Sequence, residues 1–266
     1  MIGQGTWNSE LSNRAEAVKA LQHGIDLGMT HIDTAEMYGS GKAEAITGDA
    51  ITGRRGEVFV VSKVLPSNAS HKGTISACER SLKYLKTDYL DCYLLHWRGS
   101  YELEETFGAF EELKRAGKIR SWGVSNFDED DLKEALGVAG KGQIACNQVL
   151  YHVRERAIEH AVIPWCEKNG VAVVAYSPFG QSAFPSPSSP GGKVLQEIAS
   201  NHGATPRQVA LAFLTRNESV FAIPKASKVG HAEENAGAGD LKLSAAEIAE
   251  IDQAFPLGRP RGLPML

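Results

Sequence analysis

Polar side chains recur at the ends of apolar, β-branched runs, and their spacing constrains this chain more than any other feature. Asp33, Lys63, His96, Ser125, Gln148 and Ser177 each close such a run, at separations of 30, 33, 29, 23 and 29 positions. A strand, its crossover helix and the next parallel strand take about 30 residues. The chain therefore reads as one unit repeated, not as two domains. The run from Glu57 to Lys63 shows the type, with β-branched and aromatic residues held between Gly56 and Pro66. Comparable runs cover residues 2–5, 29–33, 89–96, 119–125, 144–148, 171–177 and 219–223.

Helix-like stretches separate the runs. In residues 14–27, Ala17, Leu21 and Ile25 recur at helical spacing, with Asn13 as N-cap and Gly28 at the far end. Further stretches cover 43–51, 73–84, 103–116, 130–138, 157–168, 194–202 and 206–215, the last opening on Thr205-Pro206. Strands alternating with helices and no break in composition predict an α/β fold with a parallel sheet. Eight such units predict one (β/α)8 TIM barrel domain over residues 1–266. Residues 178–192, rich in Pro, Ser and Gly, read as a loop on the active rim.

Composition supports a packed, water-soluble protein: 42% of residues are hydrophobic and 23% charged. A net charge of -4 gives no reason to expect nucleic acid or an anionic membrane as partner. No apolar run approaches the roughly 18 residues a membrane span needs, and residues 1–7 lack a signal-peptide pattern. Cys78, Cys92, Cys146 and Cys166 lie far apart and read as reduced structural thiols. The histidines show no metal-ligand spacing. The expectation is a cytoplasmic, metal-free monomer acting on a small molecule.

Barrel enzymes place their chemistry where strands end and loops begin. Asp33, Lys63 and His96 close the second, third and fourth strands and should share one rim, with Tyr38 in the loop after Asp33. Singly, each has a bland explanation: a cap, a packed ring, a solvated ammonium, a strand-end imidazole. Their coincidence on adjacent strands points to a site. No G-x-G-x-x-G occurs, which removes a Rossmann fingerprint. Gly39-Ser40-Gly41-Lys42 mimics a P-loop, but Glu36 and Ala43 stand where the first Gly and the Ser/Thr belong.

A set of motifs makes the reading specific. Ile32-Asp33-Thr34-Ala35, Tyr38-Gly39, Val61-Ser62-Lys63, Tyr93-Leu94-Leu95-His96-Trp97, Gly123-Val124-Ser125-Asn126-Phe127, Asn147-Gln148, Ala175-Tyr176-Ser177-Pro178 and Ile223-Pro224-Lys225-Ala226-Ser227 resemble the aldo-keto reductases. The resemblance runs from Gly3 to about Phe255. It implies carbonyl reduction by hydride from NADP(H), with NAD(H) open, and a catalytic tetrad of Asp33, Tyr38, Lys63 and His96. It also implies that Ser125, Asn126 and Gln148 hold the nicotinamide carboxamide while the ring stacks on Tyr176, beside Ser177. Lys225, Ser227, Glu234 and Asn235 match positions around the adenosine end. His231 departs there from the arginine many members carry, and an imidazole lacks the bidentate reach of a guanidinium. Trp7, Met37, Trp97 and Phe179 would line an open, apolar substrate pocket.

The chemistry is consistent with those roles. Reduction leaves charge on oxygen, which needs a nearby proton donor. A phenol with a pKa of about 10 is a weak acid at neutral pH, and an adjacent ammonium lowers that value. Lys63 would supply the charge, Asp33 would hold Lys63, and His96 would orient the carbonyl oxygen. Two rivals remain: a Schiff-base lyase using Lys63, and a nucleotide-binding regulatory barrel with little turnover. The chain also begins almost at its first strand, so the β-hairpin that usually plugs the barrel floor in the family is expected to be missing.

Overall fold

The computed structural model describes residues 1–266. Eight strands form one parallel sheet: β1 (Gln4–Gly5), β2 (His31–Asp33), β3 (Phe59–Val64), β4 (Leu90–Leu95), β5 (Ile119–Ser125), β6 (Ile144–Leu150), β7 (Ala172–Tyr176) and β8 (Val220–Ala222). Each pairs with its neighbour in chain order. Bridges from Ile2 to Ala222 and from Gly5 to Lys225 join the two edges, with Gly3 N–H donating to the Ala222 carbonyl at 2.8 Å. The strands thus close on themselves, which leaves no edge exposed. The fold is the expected (β/α)8 barrel.

Ten helices surround it: α1 (Arg14–Asp26), α2 (Lys42–Ile51), α3 (His71–Leu85), α4 (Leu103–Arg115), α5 (Glu129–Ala139), α6 (Val162–Asn169), α7 (Pro190–His202), α8 (Pro206–Leu214), α9 (Val229–Ala236) and α10 (Ala245–Ala254). Local chemistry starts several of them. Asn13 accepts from the Glu16 N–H, and Thr205 forms a reciprocal capping box with Gln208 ahead of Pro206. The stretch 157–168 is interrupted: a single 3-10 turn at Ala157–Glu159 precedes α6. The rim loop is shorter than expected because Ser189 caps α7, which begins at Pro190. The helices α9 and α10 carry no counterpart in the sequence reading. None of the helices is long and apolar enough to cross a membrane.

Most of the core lies between sheet and helices, where Tyr93, Phe110, Trp122 and Phe127 are buried. Burying a side chain of this kind contributes about 1.5–3 kcal/mol. A smaller layer of Val61, Cys92, Leu94, Cys146, Val174 and Ile223 fills the barrel interior. Side chains two apart on a strand share a face, so Lys63, His96, Gln148 and Tyr176 stand directly above Val61, Leu94, Cys146 and Val174. The polar layer thus sits at the C-terminal ends of the strands. At the opposite end, Phe59, Ala145, Ala172 and Phe221 border an apolar cavity of about 270 Å3.

Candidate active site

The β2 strand ends at Asp33 and pairs it with Val61, which brings Lys63 beside the Asp33 carboxylate. Lys63 Nζ donates to Asp33 Oδ1 at 2.6 Å, to the Thr34 carbonyl at 2.9 Å and to Tyr38 Oη at 3.2 Å. An ammonium has three N–H donors, and all are used although Lys63 is 0% exposed. Tyr38 reaches this point from a tight loop, where its N–H donates to the Ala35 carbonyl. Gly39, Ser40 and Gly41 then run at φ 57°, 54° and 89° to turn the chain into α2. Side chains on the glycines would strike Glu10 and the Tyr84 ring at 2.5 Å. Only glycine satisfies both the turn and the packing.

Burial alone would disfavour the Lys63 charge, but Asp33 and Tyr38 outweigh it and hold the ammonium above its usual pKa. That charge and the sealed position remove Lys63 as a nucleophile for an imine. Tyr38 departs from expectation. Burial raises its pKa above the ordinary phenol value, and the opposing pull of Lys63 only partly offsets this. The ammonium does favour phenolate, but desolvation is the larger effect and the Asp33 carboxylate adds to it.

His96 follows β4, and its N–H is anchored on the Val64 carbonyl at 3.0 Å. Burial and then Lys63 push the imidazole pKa down to about 2, so it is neutral. Its ring meets Tyr38 edge-on at 5.8 Å, and its Nδ1 is buried without a partner. An amide network continues around the wall. Gln148 Nε2 donates to the second Asp33 oxygen at 2.7 Å, and Ser125 Oγ donates to the Gln148 carbonyl at 2.8 Å. Asn126 Nδ2 donates to the His96 carbonyl and to Ser125 Oγ, while its Oδ1 accepts from Tyr176 Oη at 2.9 Å. Asn126 is therefore occupied within the protein, whereas Gln148 Oε1 has no protein donor.

A cavity of about 400 Å3 opens over these groups. Tyr38 and His96 lie at its base, and Trp7, Met37, Trp97 and Phe179 form its apolar side. Ser125, Asn126, Gln148, Tyr176, Ser177 and Lys225 form a polar side of the same cavity. The remaining adenosine-end candidates do not line it. Ser227 Oγ accepts from Ser12 Oγ at 2.9 Å, and Glu234 accepts from the Thr205 hydroxyl at 2.8 Å. His231 is exposed on α9, and Asn235 is buried there. The sequence reading missed Asn8, Gln181 and Leu266 in the lining. Leu266 N–H reaches Tyr176 Oη at 3.4 Å; this approach has no local signal. Asn8, Asn126, Ser177 and Gln181 have φ of 61°, 57°, 48° and 54°, four of the six non-glycine residues with positive φ. Backbone strain is concentrated at the cavity.

A model described as the Aldo/keto reductase family matches residues 1–255. The chain belongs to that family. This aldo/keto reductase is an oxidoreductase that reduces carbonyl groups. A methylglyoxal reductase of Escherichia coli (strain K12) is 48% identical over 263 residues, covering 98% of this chain and 92% of its own. A glyoxal reductase of Bacillus subtilis (strain 168) is 34% identical over 251 residues, covering 94% and 87%. The crystal structure of an aldo-keto reductase from Klebsiella pneumoniae in complex with NADPH superposes at a TM-score of 0.95. It is 43% identical and covers all of this chain and 94% of that one.

Proposed function

We propose that this aldo/keto reductase uses NADPH to reduce small aldehydes and ketones, 2-oxoaldehydes of the methylglyoxal and glyoxal type foremost, with Tyr38 as the proton donor. The observation that carries this is the Tyr38–Lys63–Asp33 chain of hydrogen bonds at the base of the cavity. A phenol whose oxygen accepts from a fixed ammonium behind it, and which faces open space before it, can give its own proton to substrate as a general acid. Neutral His96, with Nδ1 unpartnered, keeps its proton on Nε2 and hydrogen-bonds the substrate oxygen through it, which holds that oxygen beside Tyr38. Asp33 keeps Lys63 charged, and Lys63 stabilises the phenolate left after proton transfer.

The residues fit a nicotinamide. Gln148 Oε1 is free to accept from a carboxamide, and Tyr176 offers a ring at the wall of the cavity. Bound there, reduced nicotinamide supplies the hydride. Asn126 serves chiefly by tying His96 to Tyr176. Lys225 at the cavity edge, with Ser227, His231, Glu234 and Asn235 beyond it, marks the direction of the adenosine phosphate. The two relatives' substrates and the modest cavity volume support a small carbonyl substrate.

A panel of methylglyoxal, glyoxal, simple aldehydes and a bulky polycyclic ketone, each with NADPH and NADH, tests the reading by loss of nicotinamide absorbance. The expected order places the 2-oxoaldehydes first in kcat/KM with NADPH. Equal rates for the polycyclic ketone would overturn the substrate class, and no oxidation of NADPH with any carbonyl would overturn the reaction.

A further inference from the structure

We propose that Glu36 is a positioning residue that clamps the Tyr38 loop against the loop after Lys63 and so holds the phenol within bonding distance of the ammonium. The proposal rests on Tyr38 being the proton donor. Glu36 lies between Asp33 and Tyr38 but does not line the cavity. Its side chain is only 11% exposed and receives four hydrogen bonds. Oε1 accepts from the Leu65 N–H at 2.7 Å and from Asn68 Nδ2 at 3.0 Å. Oε2 accepts from Asn68 Nδ2 at 3.1 Å and from Arg80 at 3.2 Å. The Glu36 N–H in turn donates to the Lys63 carbonyl at 3.4 Å.

The connectivity gives these bonds their meaning. Leu65 is two residues after Lys63, and Glu36 is two residues before Tyr38. One carboxylate therefore ties together the two backbone segments that carry the proton donor and its ammonium, and Arg80 anchors the knot to α3. Charged acceptors make the stronger hydrogen bonds. The Tyr38 N–H on the Ala35 carbonyl and the packing of Gly39 and Gly41 against Glu10 and Tyr84 also hold the loop, but neither reaches the segment after Lys63. Lys63–Tyr38 is the longest of the three Lys63 contacts, so it is the one that a drifting loop loses first. Asp33 and Lys63 sit on strands and stay in place.

Glu36→Ala and Glu36→Gln test this, with single-turnover reduction, nucleotide affinity and the ultraviolet titration of Tyr38 as readouts. The Tyr38 signal is isolated by subtracting the matching Tyr38→Phe variant. Misplacement of a reacting group by about 1 Å slows reaction up to about 100-fold. Glu36→Ala should lose about 10- to 100-fold in single-turnover rate, with nucleotide affinity within about twofold and a shifted Tyr38 titration. Glu36→Gln keeps one acceptor for Leu65 but turns a donor toward Arg80, so it should fall between. If Glu36→Ala does not fold, Glu36→Gln alone decides. A wild-type rate with an unmoved Tyr38 titration overturns the clamp, as does a rate loss that only tracks lost nucleotide affinity. The titration needs no turnover, so a wild-type protein inactive on every carbonyl would count against the reductase reading and not against the clamp.

Discussion

An ammonium with no exposed surface stays charged only when each of its N–H groups finds an acceptor, and Lys63 meets that condition through Asp33, Thr34 and Tyr38. Tyr38→Phe leaves the ion pair in place but strips Lys63 of one of its three acceptors, so it should fold with a modest loss of stability and bind nucleotide with nearly unchanged affinity. Its turnover should drop by about 10² or more; steady-state assays with methylglyoxal and NADPH check this. His96 gives a stability signature. Its pKa is pushed from 6.5 down to about 2 in the folded protein, so the unfolded chain binds this proton more readily. Stability from this site is present above pH 6.5 and is lost as pH falls toward the folded value. His96→Gln should weaken the fall in melting temperature between neutral and mildly acidic pH. Asp33, Lys63 and His96 were legible because polar groups at the ends of consecutive apolar runs must converge in a barrel, and Tyr38 through the motif in the loop after Asp33. The net acidity of Tyr38 was not, because it depends on how deeply the ring is buried. The engagement of Asn126 depends on partners from three strands.

Helices were readable where their ends carry chemistry. Thr205-Pro206 announces α8, and Ser244 with Glu247 forms a capping box that could have announced α10. The start of α9 offers nothing comparable, since Lys228 makes no side-chain cap. That helix carries His231 exposed near its start. If the adenosine phosphate lies there, His231→Arg should tighten NADPH by about tenfold, the equivalent of about 1.4 kcal/mol, and leave NADH unchanged. Tryptophan quenching by the two nucleotides measures it, and equal changes would put His231 elsewhere. On α2, Glu44 is 0% exposed, accepts from Ser62 Oγ at 2.6 Å and leaves Oε2 unpaired. Burial raises its pKa above 4.5, with the Ser62 and Ser81 hydroxyls pulling the other way. Its contribution to stability is full below pH 4.5 and is lost as pH rises through the folded value. Glu44→Gln should therefore gain on the parent protein in melting temperature as pH is raised from 4.5 to neutral.

At the scale of the whole molecule, the repeat of about 30 residues revealed the barrel because each parallel strand needs a crossover helix to return the chain to the same edge. Closure between β1 and β8 was implied by the count of strands, although β1 itself is only Gln4–Gly5. What the repeat could not reveal is the approach of remote segments to the mouth, such as Leu266 against Tyr176. The left-handed residues Asn8, Ser177 and Gln181 around that mouth carry a further consequence. Each holds a conformation that glycine adopts freely and a side-chain-bearing residue adopts with strain. The mouth is then where heat resistance is most easily gained and most dearly used. A library selected only for survival of heating should return Ser177→Gly and Gln181→Gly, each raising stability by about 1 kcal/mol or less once the entropy glycine adds to the unfolded chain is set against the relieved strain, and the survivors should turn over more slowly. Selection for turnover should restore the strained residues, so the two selections run on one library would draw a map of the mouth without any structure at all.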